Sequence, residues 1–311
     1  MKQQKATITT KKKKNKRVNW GLWMLACPGL IFLITFYYLP LYGLVIPFKQ
    51  IDYAKGIWGS NWVGFKNFEF FFGSQDAFRT TRNTICYNLA FIFITIGIAL
   101  VLALLMYNLT KNQVKVYQTA LFIPYFISWV VASYILYALL SPQLGVIPNL
   151  MEKFGASSPN FYYETKWWPI ILVLAYLWKN VGYMTLMFYA ALIGIDSSQF
   201  EAAKVDGANQ FQVMTKIAIP FIRPVVIMMI LLQIGKIFNS DFGMFYFLTR
   251  NSGPLYPVTD VIDTYVYRAL RVTGNMGMAA AAGLYQSVMG FIVVMGSNLL
   301  IRRIDKDSAL F

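Results

Sequence analysis

Glu201-Ala202-Ala203-Lys204-Val205-Asp206-Gly207, followed ten residues on by Ile217-Ala218-Ile219-Pro220, is a short polar island in a chain that is 57% hydrophobic. Ser198 stands three residues before Glu201, the spacing of a reciprocal helix N-cap. Ala202 and Ala203 give that helix a smooth flank, and Gly207 ends it, because glycine tolerates the left-handed turn that a helix C-terminus prefers. Phe211, Val213, Met214 and Ile217 predict a second short amphipathic helix, and Pro220 marks where the next apolar segment begins. The expectation is a helix-turn-helix between two membrane spans. Its face of small residues suits a helix that seats in a groove on another protein.

The rest of the chain fits that setting. It has 311 residues, of which only 13% are charged, too few for an ordinary soluble domain. The net charge of +15 does not point to nucleic acid, because eight of the 28 basic residues lie in the first 17 positions, beside apolar segments. With no histidine, imidazole catalysis and imidazole metal sites are excluded. Cys27 and Cys86 fall in apolar segments, where buried free thiols are expected rather than a disulfide or a metal site.

Residues 1–19 are too charged to pack and read as a disordered cytoplasmic tail. The apolar run from Trp20 to about Pro47 is too long for a signal h-region and lacks a small-residue cleavage site, so it reads as an uncleaved first span. Five further spans follow, at about Thr84–Asn108, Tyr117–Leu140, Trp168–Ile193, Phe221–Phe238 and Met278–Ile301. Each is of a length that fits a hydrocarbon core of about 30 Å. Loops are expected at 49–82, 142–167 and 240–275 on one side. On the other lie the basic tail, the turn with Lys111 and Lys115, the segment with Lys204, Lys216 and Arg223, and the end with Arg302, Arg303 and Lys306. By the positive-inside rule this second side is the cytoplasm, which places both termini there. The expected domains are the tail 1–19, a transmembrane domain 20–304 containing the segment 196–220, and a C-terminal tail 305–311.

The pattern E-A-A-x3-G-x9-I-x-I-P, carried by Glu201, Ala202, Ala203, Gly207, Ile217, Ile219 and Pro220, resembles the cytoplasmic coupling motif of permease subunits of bacterial binding-protein-dependent ABC importers. Ile219 stands where leucine is usual. Trp178-Lys179-Asn180-Val181-Gly182-Tyr183, Ala202 to Asn209, and Trp62-Val63-Gly64-Phe65-Lys66-Asn67-Phe68 resemble the carbohydrate-uptake branch, and residues 260–267 the subgroup for complex oligosaccharides. The resemblance implies an all-α integral membrane protein with six transmembrane helices, the type I ABC importer permease fold, in the bacterial cytoplasmic membrane. It further implies a second permease subunit, two copies of a cytoplasmic ATPase, an extracytoplasmic solute-binding protein and surrounding lipid as partners.

No catalytic or metal site is expected. The chain has no G-x-x-x-x-G-K-[S/T] phosphate loop, since Gly235-Lys236 lacks the upstream glycine, so no cofactor is expected in it; ATP and Mg would be bound by the partner ATPase. Glu201 either closes its own helix or, as the resemblance implies, pairs with a basic residue of the ATPase groove, with Ala202, Ala203, Asp206, Gly207, Ile217 and Pro220 completing the coupling set. Polar groups where lipid would forbid them mark a translocation path: Lys179, Asn180, Tyr183, Gln233, Lys236, Asn239, Asp241 and Gln286. Lys179 and Lys236 stand near span ends, where snorkelling is the alternative. Tyr87 and Asn88 are weaker members of the same set. Residues 251–275 are the expected docking surface for a binding protein, with an ordinary connecting loop as the alternative. The function expected is ATP-driven import of oligosaccharides by alternating access. The rival readings are a permease of the same class for a non-sugar solute and an ion-coupled secondary transporter. The latter lacks the internal repeat and mid-membrane acids it would need.

Overall fold

The computed structural model describes residues 20–304, apart from the side chains of Phe70 and Ile304; the expected tails 1–19 and 305–311 lie outside the described residues. The described residues divide into two compact units, parted between Val45 and Ile46. Among the described residues, Trp20–Phe48, Gln75–Tyr107, Thr165–Ile193, Gln210–Ile234 and Met276–Arg303 are helical and apolar enough to cross a membrane, and a bent pair makes a sixth.

In the first unit an α-helix, Trp20–Leu33, widens into a π turn, Ile34–Tyr38. No residue from Trp20 to Tyr42 is buried, so these apolar side chains need an apolar surrounding beyond their own unit. Cys27 is exposed here, and so is Cys86 in the second unit, against the expectation of buried thiols.

The second unit is built on helix Gln75–Tyr107 lying against helix Trp168–Ile193. Ala99 and Ala103 present a flat flank to the fully buried Phe188 and Leu192. Helix Gln75–Tyr107 starts nine residues before the expected span. Residues 75–82 were expected as loop, but they and the start of the expected span face protein: Thr80 is buried, Asn83 Nδ2 donates to the Asp260 carbonyl at 2.9 Å, and Thr84 Oγ1 accepts from Ile262 N–H at 3.0 Å. Trp168–Ile193 and Met276–Ile304 fall close to their expected bounds.

The continuous third span is corrected. Lys111–Phe126 and Trp129–Leu140 meet at a bend of 97°. Pro124 lies in the last turn of the first helix, and Ser128 caps the second by accepting from Val131 N–H at 3.3 Å. The freed carbonyls at the break are taken by Lys179, whose Nζ donates to Tyr125 O at 2.8 Å and also to Ile127 O.

The loop expected over 240–275 is folded into helical turns and a helix, Ile262–Arg271. Met244, Phe245, Leu248, Leu255 and Val261 join Tyr87, Phe91, Trp168 and Leu172 in one core cluster. Asp260 is buried there and paired with Arg79 at 3.1 Å and with Arg268. These pairings tie the segment to the start of helix Gln75–Tyr107.

Candidate coupling segment and translocation cavity

The helix expected to carry coupling spans Ser197–Val205. Its N-cap is Asp196, whose Oδ1 accepts from Ser198 N–H at 3.0 Å; that bond holds the carboxyl below the usual carboxylate range. The expected Ser198–Glu201 box is therefore absent, and Glu201 stands exposed with no hydrogen-bond or ion-pair partner among the described residues. At the other end Ala208 N–H bonds Ala203 O at 2.9 Å and Gly207 N–H bonds Lys204 O at 3.1 Å, the paired bonds of a Schellman turn. Gly207 sits at φ +81°, where a side chain is strained, with open space around it. A reciprocal box does form one turn later. Asn209 Oδ1 accepts from Gln212 N–H at 2.8 Å, and Gln212 Oε1 accepts from Asn209 N–H at 2.9 Å.

That second helical stretch is not separate from the span after it, because a π turn, Met214–Ala218, carries it straight into Ile219–Ile234. Phe200 is buried against Tyr107, with ring centroids 5.0 Å apart, and Gln210 Nε2 donates to Asn108 Oδ1. Both contacts seat the coupling segment on the end of helix Gln75–Tyr107. Ala203 faces this core and so is not free for a partner, and Ile217 is half-buried. Glu201, Ala202, Lys204, Asp206, Gly207 and Pro220 are exposed, as are two large apolar residues, Val205 at 87% and Phe211 at 77%.

Six of the eight expected path residues are brought together. Asn180, Tyr183, Gln233, Lys236, Asn239 and Asp241 line one cavity of about 440 Å³. Stacked ring pairs furnish aromatic faces on its wall: Phe91–Tyr176 at 4.0 Å and Tyr125–Tyr183 at 5.0 Å. Tyr125 and Tyr176 were missed by the sequence reading, since in a chain 17% aromatic nothing local sets them apart. Asn88 also lines the cavity and donates to Ile237 O at 2.8 Å, fixing the turn that follows Ile234.

The other two are placed elsewhere. Lys179 is occupied at the break, and Gln286 is buried, with its amide donating to Phe238 O at 2.7 Å and Asn239 Oδ1 at 2.9 Å. Tyr87 is likewise a core residue whose hydroxyl donates to Val258 O at 2.8 Å. The docking surface expected over 251–275 is part core and part surface: Leu255, Thr259, Asp260, Val261, Ile262, Thr264, Tyr265 and Ala269 are buried, while Gly253, Pro254, Pro257 and residues 270–275 are exposed. Tyr53 O–H donates to Gly274 O at 3.0 Å and joins that exposed rim to the loop after Gln50.

Residues 114–306 match the model of the binding-protein-dependent transport system inner membrane component family. The chain is 34% identical over 293 residues to Protein LplB of Bacillus subtilis (strain 168), covering 94% of this chain and 91% of that one. It is 32% identical to the polygalacturonan/rhamnogalacturonan transport system permease protein YteP of the same organism, covering 96% and 95%. The sn-glycerol-3-phosphate transport system permease protein UgpA of Escherichia coli O6:K15:H31 (strain 536 / UPEC) is 28% identical, covering 93% and 95%. A chain from the crystal structure of a bacterial ABC transporter involved in the import of the acidic polysaccharide alginate superposes with a TM-score of 0.84 at 30% identity, covering 92% of this chain and 96% of that one. With more than half of its length matched by the family model, this protein belongs to the binding-protein-dependent transport system inner membrane components.

Proposed function

We propose that this chain is the permease subunit of an ATP-driven importer that receives saccharides from an extracytoplasmic binding protein and passes them inward by alternating access. The observation that carries the reading is the segment 197–211. It is folded by its own caps and seated on helix Gln75–Tyr107, yet leaves Glu201, Val205 and Phe211 exposed. A helix whose hydrogen bonds are already closed needs a partner only for those side chains. A cytoplasmic ATPase pair, which would bind ATP and Mg, supplies the surface that meets them.

In this reading the coupling segment and both termini face the cytoplasm, and a second permease completes the pore. Asn88 in the cavity and Tyr107 at the coupling end stand on one unbroken helix, roughly 28 Å apart at 1.5 Å per residue. A rigid helix transmits a tilt at one end to the other. The solute path is the cavity with Asn180, Tyr183 and Gln233 on its wall, where side-chain amides and aromatic faces together suit a sugar ring. The relative UgpA, named for sn-glycerol-3-phosphate, favours a second reading, a non-sugar solute in the same cavity.

Co-purification of the tagged chain from its native membrane tests the assembly, with an ATPase and a second permease expected. Gly207→Leu is expected to keep membrane abundance and lose most uptake; normal uptake in that variant would overturn the coupling role.

A further inference from the structure

We infer that the saccharide taken by this cavity carries a negatively charged group, a carboxylate or a phosphate, and that Lys236 recognises it. The inference rests on the reading of the cavity as the saccharide path. Two charged residues line the cavity, Lys236 and Asp241, and they are not equivalent.

Asp241 is already engaged. Its Oδ2 accepts from the Trp129 indole N–H, and its Oδ1 accepts from Met244 N–H at 3.3 Å. The same indole carries the Lys179 ammonium over its face at 5.3 Å, so Asp241 stands in a cluster that already holds donors and a cation. Lys179 in turn is committed to the carbonyls of Tyr125 and Ile127.

Lys236 has no such commitment. Its ammonium has no hydrogen-bond, ion-pair or ring partner among the described residues, and it follows directly on the Gly235 cap of helix Ile219–Ile234. An ammonium offers three donors and no acceptor. Lys236 is exposed at the cavity wall, so a solute that takes the place of the water around it is favoured where it brings acceptors to the ammonium. A neutral sugar brings hydroxyls, which accept from the ammonium much as water does and so gain little over it. An anionic group makes a charge-assisted hydrogen bond, shorter and about twice as strong as a neutral one. Asn180, Tyr183 and Gln233 remain to hold the neutral hydroxyls. The cavity thus divides into a neutral hydrogen-bonding wall and one anion-seeking corner.

The test uses the complete importer, both permeases with the ATPase and the binding protein, in proteoliposomes. Uptake of labelled trigalacturonate, galactose 6-phosphate and galactotriose is measured for the native chain, Lys236→Gln and Lys236→Arg, each checked for co-purifying ATPase. The expected result is uptake of an anionic probe over galactotriose, a fall of about tenfold in Lys236→Gln, and retention in Lys236→Arg. Which anionic probe enters decides between carboxylate and phosphate. Equal or preferred uptake of galactotriose overturns the inference, as does anionic uptake that Lys236→Gln leaves intact or that Lys236→Arg loses equally. Uptake of none of the three overturns the saccharide reading itself, a different outcome from a charge-blind saccharide carrier.

Discussion

Gly182 and Gly207 lack a side chain for opposite reasons. A Cβ on Gly182 would stand 1.8 Å from the Leu121 carbonyl oxygen, so helix Trp168–Ile193 approaches the neighbouring backbone there with nothing between. Gly182→Ala is expected to push the two helices apart at a cost of about 1–3 kcal/mol, read as a lower thermal midpoint of the purified protein in detergent. Gly207 meets no neighbour but sits at φ +81°. Gly207→Ala is expected to cost about 1–2 kcal/mol locally, seen as faster hydrogen exchange at residues 203–208 with the global midpoint unchanged. Asp260 is buried between Arg79 and Arg268, and Asp260→Ala would leave Arg268 without its ion pair and Arg79 with Asp76 alone. Its expected cost is about 3–5 kcal/mol, measured by the same thermal unfolding. The left-handed turn at Gly207 was legible from its residue type; the close approach at Gly182 was not, because it depends on where a second helix runs.

At the scale of elements, polarity misled where protein supplied the partners. Thr80 read as loop and Asn83 lay just before the expected span, yet both are buried in helix Gln75–Tyr107, where Asn83 donates to Asp260 O. The same exchange operates at the break in the third span. Local sequence there shows an apolar run with one proline, compatible with a kinked span; Lys179, more than fifty residues away, makes a full 97° bend tolerable by bonding the carbonyls it frees. Lys179→Met is expected to leave Tyr125 O and Ile127 O without that donor and to cost about 1–3 kcal/mol. Faster exchange at the amides of 128–131 than elsewhere in the variant would place the loss at the break; uniform change would deny Lys179 this role. The N-cap shows a subtler limit. Asp196 and Ser198 are both good capping residues, and nothing in the local string chooses between them.

For the whole molecule, the proposed sites lie along two long helices of the second unit. The cavity is reached from helices Gln75–Tyr107 and Trp168–Ile193, and the coupling segment sits beyond the far end of both. Variants at the two ends are therefore expected to differ in kind. Phe211→Ala should lower the maximal uptake rate and leave the half-saturating solute concentration unchanged, while Asn180→Ala should raise that concentration; a shared phenotype would mean the two sites are not separate. Apolar runs, basic flanks and the polar island at 201–220 were enough by themselves to determine a helical membrane protein with a short helix between spans, and the resemblance of that island to a family motif implied a permease. Lipid demands an unbroken apolar run for each simple crossing, and a glycine-ended helix is a local event. Only the tertiary structure decided that the third span is broken, that the segment 240–275 folds and gives side chains to the core, and that six of eight scattered polar residues share one cavity. Each of those depends on a hydrogen bond or contact between residues distant in sequence, and no local pattern records such a partner.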